Sequence, residues 1–270
     1  MTQSAAIAPG KWAFVTGGSD GLGLAFATDL ARRGMNCLLI ARNEDKLARA
    51  AETVRTTGVE VRTLSLDLGA PDAVARIEAA TADLPLTLAV FNAGAEASGA
   101  QFVDQPYATW AATIQRNVLF LTEALHHFGR RLVDSVDDGG SGGGLIVVGS
   151  EAAFGGVGQS GIYTATKGFA LNLGEALWAE LTPRGVDVVT LLFKIADTPM
   201  LRETLARRGI PVEATGASDT AALARGTIDA LGSGPIYNPD ETSPDDPVTS
   251  NAARRERVLA KSELMKFFYG

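Results

Sequence analysis

The sequence has one cysteine and two histidines in 270 residues, and no apolar run near the roughly 18 residues that a membrane span requires. A single thiol excludes an intramolecular disulfide and any metal site built from several thiolates. Cys37 sits in the run Cys37-Leu38-Leu39-Ile40, where a small buried hydrophobe is expected. His126 and His127 are adjacent, and neighbours on a helix point about 100° apart, which suits neither a shared metal nor a catalytic pair. They read as surface or subunit-interface residues, and no metal is expected. Met1 to Gly10 lacks the basic start and apolar stretch of a secretory signal and reads as a disordered lead-in. The expected setting is therefore cytoplasmic, away from membranes. Charge is also sparse, at 20% of residues, and 24 scattered basic residues against 31 acidic ones give a net −7 that argues against a nucleic-acid partner.

Glycine is what the chain has in excess, with 30 residues. No Gly-X-Y period exists, which excludes collagen, and 46% hydrophobic content excludes general disorder. Short apolar runs alternate with longer helical patterns. Strands are expected at Trp12–Thr16, Asn36–Ala41, Val59–Leu66, Thr87–Phe91, Leu145–Val148, Val186–Phe193 and Pro235–Tyr237. Helices are expected at Leu22–Arg33, Glu44–Thr56, Pro71–Ala82, Tyr107–Val133, Ile162–Leu181, Pro199–Arg208 and Ser218–Leu231. This alternation predicts an α/β fold, a single Rossmann-like domain with a doubly wound, seven-stranded parallel sheet covered by helices on both faces. The domain spans 11–237, with a lid at about 199–217 and a tail at 238–270 that carries a short helix. Asp134–Gly144, rich in Gly and Ser, precedes a strand rather than a helix and reads as a flexible connector.

Trp12-Ala13-Phe14-Val15 runs into Thr16-Gly17-Gly18-Ser19-Asp20-Gly21-Leu22-Gly23, where a helical pattern begins. A strand-to-helix turn concentrates free backbone N–H groups and the positive end of a helix dipole, and glycines let a pyrophosphate approach. The spacing is T-G-x-x-x-G-x-G rather than G-x-G-x-x-G. The second strand ends Ile40-Ala41-Arg42-Asn43, without the acid that would bind a 2′-hydroxyl; Arg42, with Lys46 one turn on, favours the 2′-phosphate of NADP(H), or else Arg42 is a solvated strand-end charge. Asp67, followed by Leu68, either accepts the adenine amino group or caps the helix beginning near Pro71.

Tyr163 and Lys167 lie four residues apart on one helix face, and Ser150 stands thirteen residues before Tyr163 at the carboxyl end of the fifth strand, where open α/β sheets bind ligands. Such a trio suits carbonyl reduction. An ammonium and an oxidised nicotinamide ring favour the phenolate and bring Tyr163 toward working pH, and the phenol exchanges a proton with the substrate oxygen that Ser150 binds. Asn117, an amide within an apolar helical run, suits a water-mediated relay to Lys167.

On these motifs the chain resembles the short-chain dehydrogenases/reductases over nearly all of residues 10 to 237. The family's cofactor loop is matched by Thr16–Gly23, its adenine-site acid by Asp67, its Asn-Ala-Gly turn by Asn92-Ala93-Gly94, and its tetrad by Asn117, Ser150, Tyr163 and Lys167. The resemblance implies strand order 3-2-1-4-5-6-7, and homodimers or homotetramers built through the helices Tyr107–Val133 and Ile162–Leu181. It also implies nicotinamide contacts from the segment of Ala196 and Thr198. Phe193-Lys194 replaces the family's Pro-Gly, leaving Lys194 to reach cofactor or substrate, to pair with an acid, or to face solvent. Three readings follow: an NADP(H)-dependent ketoreductase acting on a moderately apolar small-molecule carbonyl or alcohol, an NADP(H)-binding protein with little or no catalysis, and, less favoured by the glycine spacing, an isomerase or dehydratase. The lid offers Leu201, Leu205, Ile210 and Val212 to an apolar ligand and Arg202, Arg207 and Arg208 to an acidic one or to solvent.

Overall fold

The computed structural model describes residues 4–94, 99–140 and 142–269, with side chains to residue 264. Its strands are β1 (Trp12–Thr16), β2 (Asn36–Ala41), β3 (Val61–Ser65), β4 (Leu86–Phe91), β5 (Gly143–Val148), β6 (Val186–Leu191) and β7 (Ile236–Tyr237). They form one parallel sheet in the order β3-β2-β1-β4-β5-β6-β7. The connecting helices are α1 (Gly21–Arg32), α2 (Glu44–Arg55), α3 (Ala73–Thr81), α4 (Tyr107–Ile114), α5 (Leu121–Asp137), α6 (Gly161–Leu181), α7 (Pro199–Ala206), α8 (Thr220–Ala230) and α9 (Asn251–Tyr269).

Alternate strand residues feed two cores, as the two-residue period of a strand requires. Ala13, Val15, Cys37, Leu39, Val90 and Ile146 pack under α1, α2 and α8, while Phe14, Leu38, Ile40, Phe91, Leu145 and Val147 pack under α3, α5 and α6. Both faces of the sheet are covered, which is why its inner strands β1, β4 and β5 are buried at every position. The strand order reverses between β1 and β4, opening the crevice in which folds of this class bind ligands.

Three segments differ most from the sequence reading. Residues 4–10 are packed rather than a disordered lead-in: Ala6 is fully buried and its carbonyl accepts from the Thr87 hydroxyl, while the Ser4 hydroxyl donates to Asp187, so the segment covers the amino ends of β4 and β6. The connector at Asp134–Gly144 is shorter than expected, because α5 continues to Asp137 and Gly143-Gly144 already belong to β5. The tail's helix is long, at 19 residues, and packs on α6 through Val258 and Arg254. Among the described residues no helix is long and apolar enough to cross a membrane.

Candidate active site

The glycine loop follows β1 and is held by its neighbour across the crevice. The Thr16 hydroxyl accepts from the backbone N–H groups of Asn92 (3.0 Å) and Ala93 (3.2 Å), and Asn92 Nδ2 donates to the Thr16 carbonyl (3.1 Å). The turns after β1 and β4 are thereby fixed side by side. Gly17 is left-handed (φ +67°), and a Cβ at Gly23 would coincide with the Gly17 carbonyl oxygen. Only a bare backbone closes this cradle, and its amide groups meet the start of α1, as an anion site needs. Asp20 caps α1 by accepting from Gly21 N–H (2.8 Å), Ser19 is half-buried beside it, and Leu22 turns into the core. Gly21 faces the Thr198 side chain, which would lie 3.0 Å from an added Cβ. The residues that open α7 thus meet the glycine loop.

After β2, Arg42 is exposed and Lys46 pairs with Asp20 (2.8 Å) across the surface. Asp67 does not cap α3. Its carboxylate accepts from the Gly69 N–H (2.9 Å) and shapes the turn after β3, with Leu68 buried next to it. Ala196 is buried and bridged to Ser218, and the Thr198 hydroxyl caps α7 by accepting from Leu201 N–H (3.2 Å).

The tetrad residues come from three elements that meet at the carboxyl ends of β4 and β5. Helix α6 lies so close to β6 that a Cβ at Gly174 would strike the Thr190 hydroxyl, and this fixes the helix carrying Tyr163 and Lys167. Lys167 is buried and donates to the Val148 carbonyl (2.9 Å), with its ammonium 5.7 Å from the centre of the Tyr163 ring. Burial lowers its pKa to about 8. The Tyr163 phenol is shifted upward, because desolvation outweighs the opposing hydrogen bond with Ser150. In the protein without cofactor Tyr163 holds its proton; the expected draw toward working pH includes an oxidised nicotinamide ring beside the phenol. Ser150 is buried, and its oxygen accepts from the Ala152 N–H (3.1 Å).

Asn117 is presented by a feature that helical periodicity does not reveal. Between α4 and α5, Gln115–Phe120 forms a π-helical turn, the wide turn often found at functional sites. Asn117 Nδ2 donates to Thr166 Oγ1 (3.1 Å) and the Gly94 carbonyl (3.4 Å), while its buried Oδ1 is without a hydrogen-bond partner. A cavity of about 20 Å³, lined by Gly94, Asn117, Thr166 and Lys167 among others, adjoins it. Its size and polar lining suit a single water molecule. Thr166, missed in the sequence, was legible only as a second polar residue one position before Lys167.

Phe193-Lys194 takes a definite path. The Lys194 side chain is exposed, and the Lys194 backbone N–H donates to Asp240 (3.0 Å), beyond β7. Glu151 accepts from Asn238 Nδ2 (3.1 Å), a link that no local pattern announces. Cys37 is buried, with its thiol pushed up to about 12 by desolvation, and is chemically quiet.

Residues 11–209 match the family profile of short chain dehydrogenases. The chain belongs to the short-chain dehydrogenase/reductase family. It is thus an oxidoreductase of the kind that interconverts CH–OH and C=O groups with a nicotinamide cofactor. A 7beta-hydroxysteroid dehydrogenase of Collinsella aerofaciens is 31% identical over 197 residues, 73% of each chain. A very-long-chain 3-oxoacyl-CoA reductase of Meyerozyma guilliermondii is 29% identical over 215 residues, 75% of this chain and 61% of its own. Among solved structures, a Sphingobium yanoikuyae short-chain dehydrogenase in complex with NADPH is similar to this family member with a TM-score of 0.76 at 29% identity, covering 95% of each chain.

Proposed function

We propose that the protein is an NADP(H)-dependent ketoreductase, interconverting a ketone and a secondary alcohol on a moderately apolar small molecule. The observation that carries this reading is the convergence of Ser150, Tyr163, Lys167 and Asn117 beside a glycine cradle that a single Cβ would block. NADP(H), when bound there, supplies or accepts the hydride. The cradle from Gly17 to Gly23 would hold the pyrophosphate, Asn92-Ala93-Gly94 and Ala196-Thr198 would serve the nicotinamide half, and Asp67 with Leu68 would serve the adenine. Arg42 and Lys46 would hold the 2′-phosphate, for which Lys46 would give up its contact with Asp20.

Ser150 hydrogen-bonds the substrate oxygen, where negative charge gathers during reduction. Tyr163, whose burial keeps the phenol protonated, donates the proton to that oxygen and recovers it in the reverse direction. Lys167, held by Val148, lies over the phenol and steadies the developing phenolate, and the cavity beside Asn117 and Lys167 gives a path for one bridging water.

The preference for an apolar substrate rests on the lid. Arg202 is committed to Asp197 through two bonds of 2.6 Å, and Arg207 pairs with Glu203, while Ile195, Met200 and Ile210 stay exposed. Purified protein mixed with NADPH or NADH and a panel of ketones, including a 7-oxosteroid and a 3-oxoacyl thioester, tests the reading by absorbance of the reduced nicotinamide. Turnover with NADPH on bulky apolar ketones is expected. Binding of NADPH without oxidation by any ketone would instead favour a non-catalytic binder, and preference for NADH would overturn the cofactor assignment.

A further inference from the structure

The segment beyond β7 enters the site from a direction that the tetrad does not use. Its junction is Asn238, only 1% exposed, with its backbone N–H and both side-chain polar atoms committed. Its backbone N–H donates to Asn251 Oδ1 (2.9 Å) at the start of α9, its Oδ1 accepts from the Asp240 N–H (3.0 Å), and its Nδ2 donates both to the Thr249 carbonyl (3.1 Å) and to Glu151 Oε1 (3.1 Å). Glu151 directly follows Ser150, and its own N–H donates to the Phe193 carbonyl (3.0 Å). One residue further, the Lys194 N–H is held by Asp240. The turns after β5 and β6 are therefore both tied to the same few residues of the tail.

A second tie lies on α9. Arg254 and Glu175 are each 4% exposed and meet at 2.6 Å, Arg257 adds a bond of 2.9 Å to the same carboxylate, and the Arg254 guanidinium also donates to the Val248 carbonyl (2.9 Å). The Arg254 guanidinium carbon lies 5.5 Å from the centre of the Phe154 ring. Phe154 ends the short 3₁₀ turn Glu151–Phe154 that Ser150 caps, and it packs with Ala153 against Leu171, Leu192 and Ile236. The turn carrying Ser150 is thus held at its first residue by Asn238 and at its last by Arg254. The tail residues of this arrangement, Asn238, Asp240, Arg254 and Arg257, lie beyond residues 11–209, where the family profile matches, and the residues they hold lie within it.

We infer that the segment from Asn238 to Val258 is a brace for the Ser150 turn, with Asn238 and Arg254 as positioning residues for proton and hydride transfer. The inference rests on the proposed role of Ser150 in carbonyl reduction. A hydroxyl that must meet the substrate oxygen at hydrogen-bond length is sensitive to small displacements, since misplacement by about 1 Å can cost about a hundredfold in rate.

The experiment is a double-mutant cycle of Glu151→Ala and Asn238→Ala in the full-length protein, read by two independent measurements. The first is ketone reduction with 4-deuterated and ordinary NADPH, together with the NADPH dissociation constant. Each single variant is expected to lower kcat by roughly tenfold, to raise the isotope effect on kcat, and to leave NADPH affinity within about twofold. The double variant should be no slower than either single one, because one link has been cut twice. The second is amide hydrogen exchange, which should accelerate at residues 151–153 and 193–194. Arg254→Lys, which keeps a cation for Glu175, supplies a variant expected to fold and to show a smaller change of the same kind.

Unchanged exchange at residues 151–153 in Asn238→Ala would overturn the brace, as would additive losses in the cycle or a fall in activity that follows only the folded fraction. If the unaltered protein reduces no ketone, the functional reading fails, and the exchange measurement still decides whether the tail holds the Ser150 turn.

Discussion

A Cβ added at Gly23 would land on the Gly17 carbonyl oxygen, whereas at Gly155, Gly156, Gly158 or Gly161 it would meet nothing within 4 Å. Both stretches border the carboxyl ends of the strands, yet glycine serves opposite purposes in them. In the first it allows backbone to meet backbone and leaves amide groups free for an anion. In the second, between Ser150 and Tyr163, it leaves space. On the proposed function, cofactor recognition rests on tight packing and substrate recognition on open space, so the two glycine stretches should respond differently to the same substitution.

Gly23→Ala is the strongest probe of the tight half. The overpacked Cβ is expected to destabilise the fold by about 3 kcal/mol and to abolish NADPH binding, measured by thermal melting and by nucleotide fluorescence. A stable variant that binds NADPH normally would break the contrast.

The buried ammonium of Lys167, on α6, is held at a cost. Its folded pKa of about 8 lies below its ordinary value of 10.5, so the unfolded chain binds more protons between those limits and stability rises with pH across that window. Lys167→Met removes the penalty. At pH 7 the variant should be more stable by about 2 kcal/mol, after allowance for the lost bond to Val148, and should be nearly inactive. Denaturant titration at pH 7 and pH 10 checks the sign, because the advantage over the unaltered protein should shrink as pH rises.

A smaller effect is expected at the rim of the tight loop. Asp20→Asn frees Lys46 and removes a negative charge near the proposed 2′-phosphate site, and it should tighten NADPH binding by about fivefold without a matching gain for NADH. Calorimetric titration with both nucleotides separates the two. The smallest effect belongs to the open stretch: Gly158→Ala should change stability by less than about 0.5 kcal/mol. It should alter KM for a bulky ketone and leave NADPH affinity unchanged.

The sequence showed the regular part of this arrangement because the signals there are local. The expected bounds of β1 and β2 match those observed, and the strand-turn-helix context of Thr16–Gly23 places the loop where the sheet order reverses. What escaped depends on partners far apart in the chain. Ala6 is buried by Thr87 and its neighbours, and Arg254 by Glu175, 79 residues away. Neither contact leaves a periodic trace, so both ends of the chain read as loose. The π-helical turn at Gln115–Phe120 was hidden because an apolar helical pattern runs through it unbroken. Asn117 stood out as a costly amide, but its partner Thr166 did not. The upward direction of the Tyr163 shift in the protein without cofactor was not legible, because burial, which sets it, depends on the packed site.

The most direct measurement is the single-turnover rate of NADPH oxidation by a bulky apolar ketone in the unaltered protein and in Tyr163→Phe, with NADPH binding measured in both. Loss of the proton donor should slow the step by about a thousandfold while NADPH affinity stays unchanged. A phenylalanine variant that oxidises NADPH at an undiminished rate would contradict the assignment of this site to carbonyl reduction.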